Sequence, residues 1–352
     1  MLAGDPGHGG ATWAVLQYVL GLSRLGHDVW FVEPAANVSG ESQRYFADVV
    51  AAHGLEDRAV LGELSTGNRE AIRSADLLLN IAGMLVDEAV LATIPVRVYL
   101  DLDPAFTQLW QAVEGIDMRL EGHTHFATVG QRIGEIDCEI PACDVAWIRT
   151  LPPVVLDHWP VASQILYDGL TTVGNWRSYG SIQVGEVNYG QRAHSVRELL
   201  ALPTLTEERI MPALAIHPDE RSDLDTLAAN GWHLLDPSEV AATPATYRSF
   251  VQGSKAELGV AKKGYVVSRC GWFSDRSACY LASGRPVLAQ DTGFRAALPT
   301  GEGLLAFSTV DEAAAGIEEI CARYSAHAVA ARELAETYLD SGTVLTRLLE
   351  CL

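Results

Sequence analysis

Residues 271–294 read GWFSDRSACYLASGRPVLAQDTGF. The pattern is a turn, a helix opening at Ser274, an apolar strand over PVLAQ and a polar loop at Asp291-Thr292-Gly293. That succession is one unit of an α/β sheet. Arg276 falls in the first turn of the helix, where the partial positive charge of the N-terminus disfavours a cation. An anion close by removes the conflict. Helix N-termini bind phosphate through their free N–H groups, so a phosphate is the first candidate.

The same alternation continues on both sides of this unit. Upstream, GGATWAVLQYVLGLSRLG (9–26) has helical periodicity, and DVWFVEP (28–34), ADLLLNIAG (75–83) and VRVYLDLDP (96–104) read as short buried strands. Only Met1-Leu2-Ala3 remain to form a strand before the glycine-rich loop GDPGHGG (4–10). The three prolines of LPPVVLDHWP (151–160) mark a linker. Beyond it, LTTVG (170–174) and MPALAIHP (211–218) read as strands, IQVGEVNYG (182–190) as a hairpin, TYRSFVQGSKAEL (246–258) as a helix and GYVVSR (264–269) as a strand. Alternating βα units imply a parallel, doubly wound sheet. The expected architecture is two α/β domains facing a cleft, residues 1–155 and 156–339.

Composition narrows the function. In 352 residues, 48% are apolar and 20% charged, which supports about two well-buried domains. A net charge of −20 argues against nucleic acid and against anionic membrane surfaces. WAVLQYVLGL is too short to span a bilayer, and the six cysteines show no paired metal spacing. These features imply a soluble cytoplasmic protein with reduced thiols. His123 and His125 lack a third ligand, so no metal is expected.

In open α/β sheets ligands bind beyond the carboxyl ends of the strands. The chain resembles the GT-B glycosyltransferases there, through ASGRPVLAQDTGF (282–294) followed by LPTGEGLLAFSTVDEAAAGIEEI (298–320). The resemblance is to the nucleotide-sugar-binding C-terminal domain of families 1 and 4. It implies two Rossmann-like domains, with the last helix (340–352) packing back on the first, and a nucleoside-diphosphate sugar as co-substrate, with no other cofactor. It implies further that Gly271, Ser274, Asp275, Arg276 and Ser277 cradle the donor diphosphate. Asp291, Thr292 and Gly293 then meet the donor sugar, Glu302 lies near the nucleoside or sugar, and Asn175 and Trp176 close the other side. The paired glutamates of retaining members are absent, since Gly271 and Cys279 occupy their positions, and only Arg177 stands near the place of the Arg/Lys pair. An inverting displacement is therefore expected, with His8 as general base and Asp101 (or Asp103) orienting or replacing it. The acceptor is a small molecule or glycan. Trp13, Phe106 and Trp110 line its pocket or, at helical spacing, belong to the core.

Three other readings compete. GHGGAT partly imitates a dinucleotide-binding fingerprint, with Glu33 near the place of a ribose-binding acid, so an NAD(P)-dependent oxidoreductase is one. The others keep the scaffold: a nucleotide-sugar epimerase, or a catalytically silent sugar-binding relative.

Overall fold

The computed structural model describes residues 2–35 and 38–352. In the first half, strands β1 (Phe31–Glu33) and β2 (Ala59–Leu61) form a parallel pair. Strands β3 (Leu77–Ile81), β4 (Val96–Asp101), β5 (His125–Thr128) and β6 (Trp147–Arg149) form a parallel sheet in that order. The centre of β4, Val98-Tyr99-Leu100, is fully buried, as a strand covered on both faces must be.

The second half follows with β7 (Tyr167–Asn175), the antiparallel hairpin β8 (Ile182–Val184) and β9 (Val187–Tyr189), β10 (Ile210–Ala215), β11 (Ser254–Gly259), β12 (Val287–Gln290) and β13 (Leu304–Phe307). Its five-stranded parallel sheet runs β10-β7-β11-β12-β13. From β7 the chain goes out to β10 and returns to place β11 on the other side. The strand order therefore reverses between β7 and β11, where a crevice opens at the carboxyl ends. The helix that begins beside it is Asp275–Ala282.

Three local expectations change. SKAELG is strand β11, not the tail of a helix; the helix before it ends at Gly253. GYVVSR is not a strand, and Lys263–Ser268 is a short helix. With β11 already filling the place between β7 and β12, a further strand has no partner there. Leu2–Gly4 forms no strand; its three backbone N–H groups donate instead to the buried Glu33 carboxylate at 2.8, 3.1 and 2.8 Å. One side chain thus replaces a strand's worth of hydrogen bonding.

Two chain crossings join the halves. Val154 N–H donates to Leu339 O at 2.7 Å and Ser341 N–H to Val154 O at 2.8 Å, so the crossings run side by side. The last helix, Ser341–Glu350, then buries Leu345 and Leu348 against Val98, Leu100 and Ala127 of the first sheet. Each such leucine contributes about 1.5–3 kcal/mol. Across the cleft, Phe106 and Leu109 pack with Ile182, Tyr189 and Tyr265 of the second half. Trp13 is 2% exposed and its indole N–H donates to Pro244 O at 2.8 Å. Trp13 and Phe106 are therefore core, and Trp110 packs at its edge. Among the described residues, no helix is long and apolar enough to cross a membrane.

Candidate active site

The helix Asp275–Ala282 starts at the crevice because Ser274 caps it, its Oγ accepting from Arg276 N–H at 3.2 Å. Ser274, Arg276 and Ser277 line the crevice with Gly259 and Gln290 of the neighbouring strands. The anion that Arg276 calls for is internal. Its Nε donates to Glu257 Oε1 of β11 at 2.6 Å, and its Nη1 to Val173 O of β7 at 2.9 Å. Burial alone would lower the guanidinium pKa; the Glu257 charge outweighs that and holds it above its ordinary value. Arg276 is thus a brace between helix and sheet, which corrects its expected role as a phosphate ligand.

A second guanidinium stands at the same strand ends, unpaired. Arg192 opens the short helix Arg192–Glu198 after the hairpin and is 7% exposed. Its Nε and Nη1 have no hydrogen-bond partner among the described residues. It lies over the end of β7, where a Cβ on Gly174 would meet Nη1 at 2.3 Å. Burial, reinforced by the nearby Arg276, lowers its pKa to about 9. A buried cation left without a partner is costly, and an anion bound in the crevice would relieve that cost.

The remaining expected residues separate. Gly271 has φ +80° and its N–H donates to Thr292 O at 2.8 Å, while Gln131 and Arg132 of the first half donate to the Gly271 and Cys270 carbonyls. It seals the two halves together and its N–H is not free for a phosphate. Asp291 accepts from Gly293 N–H at 2.8 Å, Thr292 donates to Trp272 O, and Gly293 takes a left-handed φ of +93°. These three build the turn after β12. Asn175 ends β7 at the crevice. Trp176 instead turns into the core, 1% exposed, its indole N–H donating to Asp223 at 3.2 Å. Glu302 precedes β13 and so lies at the amino ends of the strands, opposite the crevice, paired with Arg323 on the surface.

In the first half, His8 caps the first helix (Gly9–Arg24), half exposed, its Nδ1 3.0 Å from Asp5 Oδ1. The loop is pinned to the second half: Gly9 N–H donates to Ala241 O at 2.8 Å, and a Cβ on Gly9 would come within 2.1 Å of Thr243 O. Asp101 does not orient His8. Fully buried, it accepts from Thr107 Oγ1 (2.7 Å), Thr128 Oγ1 (2.8 Å), Gln108 Nε2 (2.9 Å) and Asp103 N–H (2.9 Å). Its lone pairs are spent on shaping the loop after β4. Asp103 is engaged with the second half, accepting from Lys262 Nζ at 3.1 Å, Tyr179 OH at 2.6 Å and Tyr265 OH. Glu33 is filled by the three N–H groups of residues 2–4, which removes the acid that the oxidoreductase reading needs. His123 is likewise occupied, by Asn80 Nδ2 at 3.0 Å and Leu120 O at 3.2 Å.

Comparison with known proteins gives the fold a class. No family model matches the chain, and no curated protein matches it in sequence. Solved structures do. An alpha-glucosyltransferase in complex with UDP and a 13-mer DNA superposes with a TM-score of 0.63 at 11% identity, covering 98% of this chain and 96% of that one. AviGT4, a glycosyltransferase involved in avilamycin A biosynthesis, gives 0.55 at 15% identity over 99% and 91%. A glycosyltransferase from Rickettsia africae ESF-5 gives 0.55 at 11% identity over 97% and 94%. The chain has the GT-B glycosyltransferase fold, two Rossmann-like halves about a cleft.

Proposed function

We propose that this protein transfers a sugar from a nucleoside-diphosphate sugar to the hydroxyl of a small-molecule or glycan acceptor. The observation that carries this is Arg192, a buried guanidinium with two unpartnered nitrogens at the switch point of the second sheet. A diphosphate supplies the missing acceptor oxygens and the missing negative charge. The same lone cation explains how leaving-group stabilisation survives without the family's Arg/Lys pair. UDP is the nucleotide bound in the neighbouring alpha-glucosyltransferase, which supports testing it first.

In this reading residues 1–155 with the last helix hold the acceptor and residues 156–339 the donor, in the cytoplasm. His8, polarised by Asp5, takes the proton from the acceptor hydroxyl. The acceptor oxygen bonds to the anomeric carbon as the bond to the diphosphate breaks, and Arg192 receives the departing charge. With Gly271 and Cys279 in place of paired glutamates, the displacement inverts configuration. A net charge of −20 disfavours DNA as acceptor, whatever the neighbour binds.

Thermal unfolding with UDP, TDP, GDP, ADP and NAD(H) at millimolar concentration tests the proposal. A nucleotide at ~100 times its Kd stabilises by ~2.7 kcal/mol, and one nucleoside diphosphate is expected to do so. A shift with NAD(H) alone would sink the proposal. His8→Ala should then lower turnover by roughly 10²–10⁴-fold while leaving the nucleotide shift in place. Undiminished turnover removes His8 from the mechanism.

A further inference from the structure

A cavity of about 70 Å³ lies between the halves, where Val129 follows β5 and faces Pro152, Pro153 and Phe273. That is about half of the ~150 Å³ that encloses a benzene molecule, and the cavity is partly open, so it admits the leading edge of a ring. Three of its lining side chains, Gln17, Tyr18 and Asp275, carry oxygen. Gln17 is already committed, its Oε1 accepting from Val155 N–H at 2.7 Å and its Nε2 reaching Cys279 Sγ. Tyr18 and Asp275 differ in what they already bind. The Tyr18 hydroxyl is buried and has no partner among the described residues, although the residue is only 4% exposed. Asp275 reaches the same space from the first turn of its helix, next to the donor crevice. Burial raises its carboxyl above the ordinary range, against the pull of Arg276.

We infer that this cavity receives a hydroxyl carried on an apolar ring, a phenol or alicyclic alcohol, as the recognised end of the acceptor. A hydroxyl donates one hydrogen bond and accepts others, so it serves both groups at once: it donates to a remaining lone pair of Asp275 and accepts from the unpartnered Tyr18 hydroxyl. The apolar remainder favours a hydrocarbon ring over a polyhydroxylated one, whose further hydroxyls would be buried without partners. A carboxylate or phosphate at this position would meet Asp275 and be repelled. The term acceptor rests on the glycosyltransferase proposal; the binding specificity does not.

Fluorine NMR of 4-fluorophenol with the whole protein tests it, with fluorobenzene and 3-deoxy-3-fluoroglucose as comparison probes. 4-Fluorophenol is expected to bind at least about tenfold more tightly than either, and Tyr18→Phe and Asp275→Asn should each cost it about tenfold. Tyr18→Phe removes an unpaired hydroxyl, so it folds even if Asp275→Asn does not. Equal affinities for the three probes, or an undiminished affinity in Tyr18→Phe, overturn the inference. The UDP melting shift is read on the same samples. A shift without phenol binding overturns the cavity assignment alone. Phenol binding without any nucleotide shift upholds the site and overturns its place in sugar transfer.

Discussion

Replacing Arg192 by methionine should make the protein more stable and at the same time unable to bind a nucleoside diphosphate. The two effects have one cause. In the free protein the guanidinium is buried with Nε and Nη1 unpartnered, and its pKa is pushed down to about 9. A base whose folded pKa lies below its unfolded value destabilises the fold. That cost is present in full below about pH 9 and lifts only as pH rises further, toward the ordinary range of a guanidinium. At neutral pH, methionine fills similar space without the charge, so Arg192→Met should gain on the order of 1–3 kcal/mol in urea unfolding. Losing one partner of a buried charge pair costs binding roughly 2–5 kcal/mol, a weakening of about 30- to 5,000-fold for UDP. A variant that is less stable than the parent yet still binds nucleotide would show that Arg192 serves the fold and not a ligand.

The second large effect belongs to the pair behind the crevice. Glu257→Gln should destabilise the protein by about 3–5 kcal/mol, because it leaves the buried Arg276 charge without its ion-pair partner. Adding Arg276→Met should restore most of the loss, since removing both charges also removes the need to compensate either. A urea-unfolding double-mutant cycle reads the coupling directly, and more than about 2 kcal/mol is expected. Additive losses would mean that the two side chains stand near each other without stabilising each other.

This pair also explains which parts of the molecule could be read from the sequence. The alternation of helix and strand was legible because its longer helices span many residues with a clear period. The C-terminal string 282–320 was legible because its glycines and apolar runs keep family-like spacing. Short apolar runs were not: GYVVSR has the composition of a strand, and only the occupied edge of β11 keeps it helical. That misassignment had a consequence. With SKAEL read as helix, nothing in the sequence set Glu257 beside Arg276, and the anion was expected in a ligand. Within β11 the same residue is fully buried and faces Arg276.

Arg192 escaped notice for a different reason. The hairpin β8–β9 separates it from β7 in sequence, although the loop that leaves β7 returns to its end at Gly190-Gln191-Arg192. A search limited to the residues directly after each strand misses it. Trp176 and Glu302 were misplaced because chain position does not tell which way a side chain turns, or which end of a sheet a loop serves. Asp101 was a sound candidate by type, and only its four donors show that it is fully spent on the loop.

The hydrogen bonds that tie Val154 to Leu339 and Ser341 have a mechanical consequence. Two halves joined by one strand of chain can swivel in any direction, like a ball on a string. Here the outgoing and returning strands are fastened to each other, and the returning one is anchored through Leu345 and Leu348 to the first sheet. The joint therefore works as a hinge with its pin at Val154 and Asp340. An opening that swings about that pin would part Asp103 from Lys262, and its closure would bring them back in register.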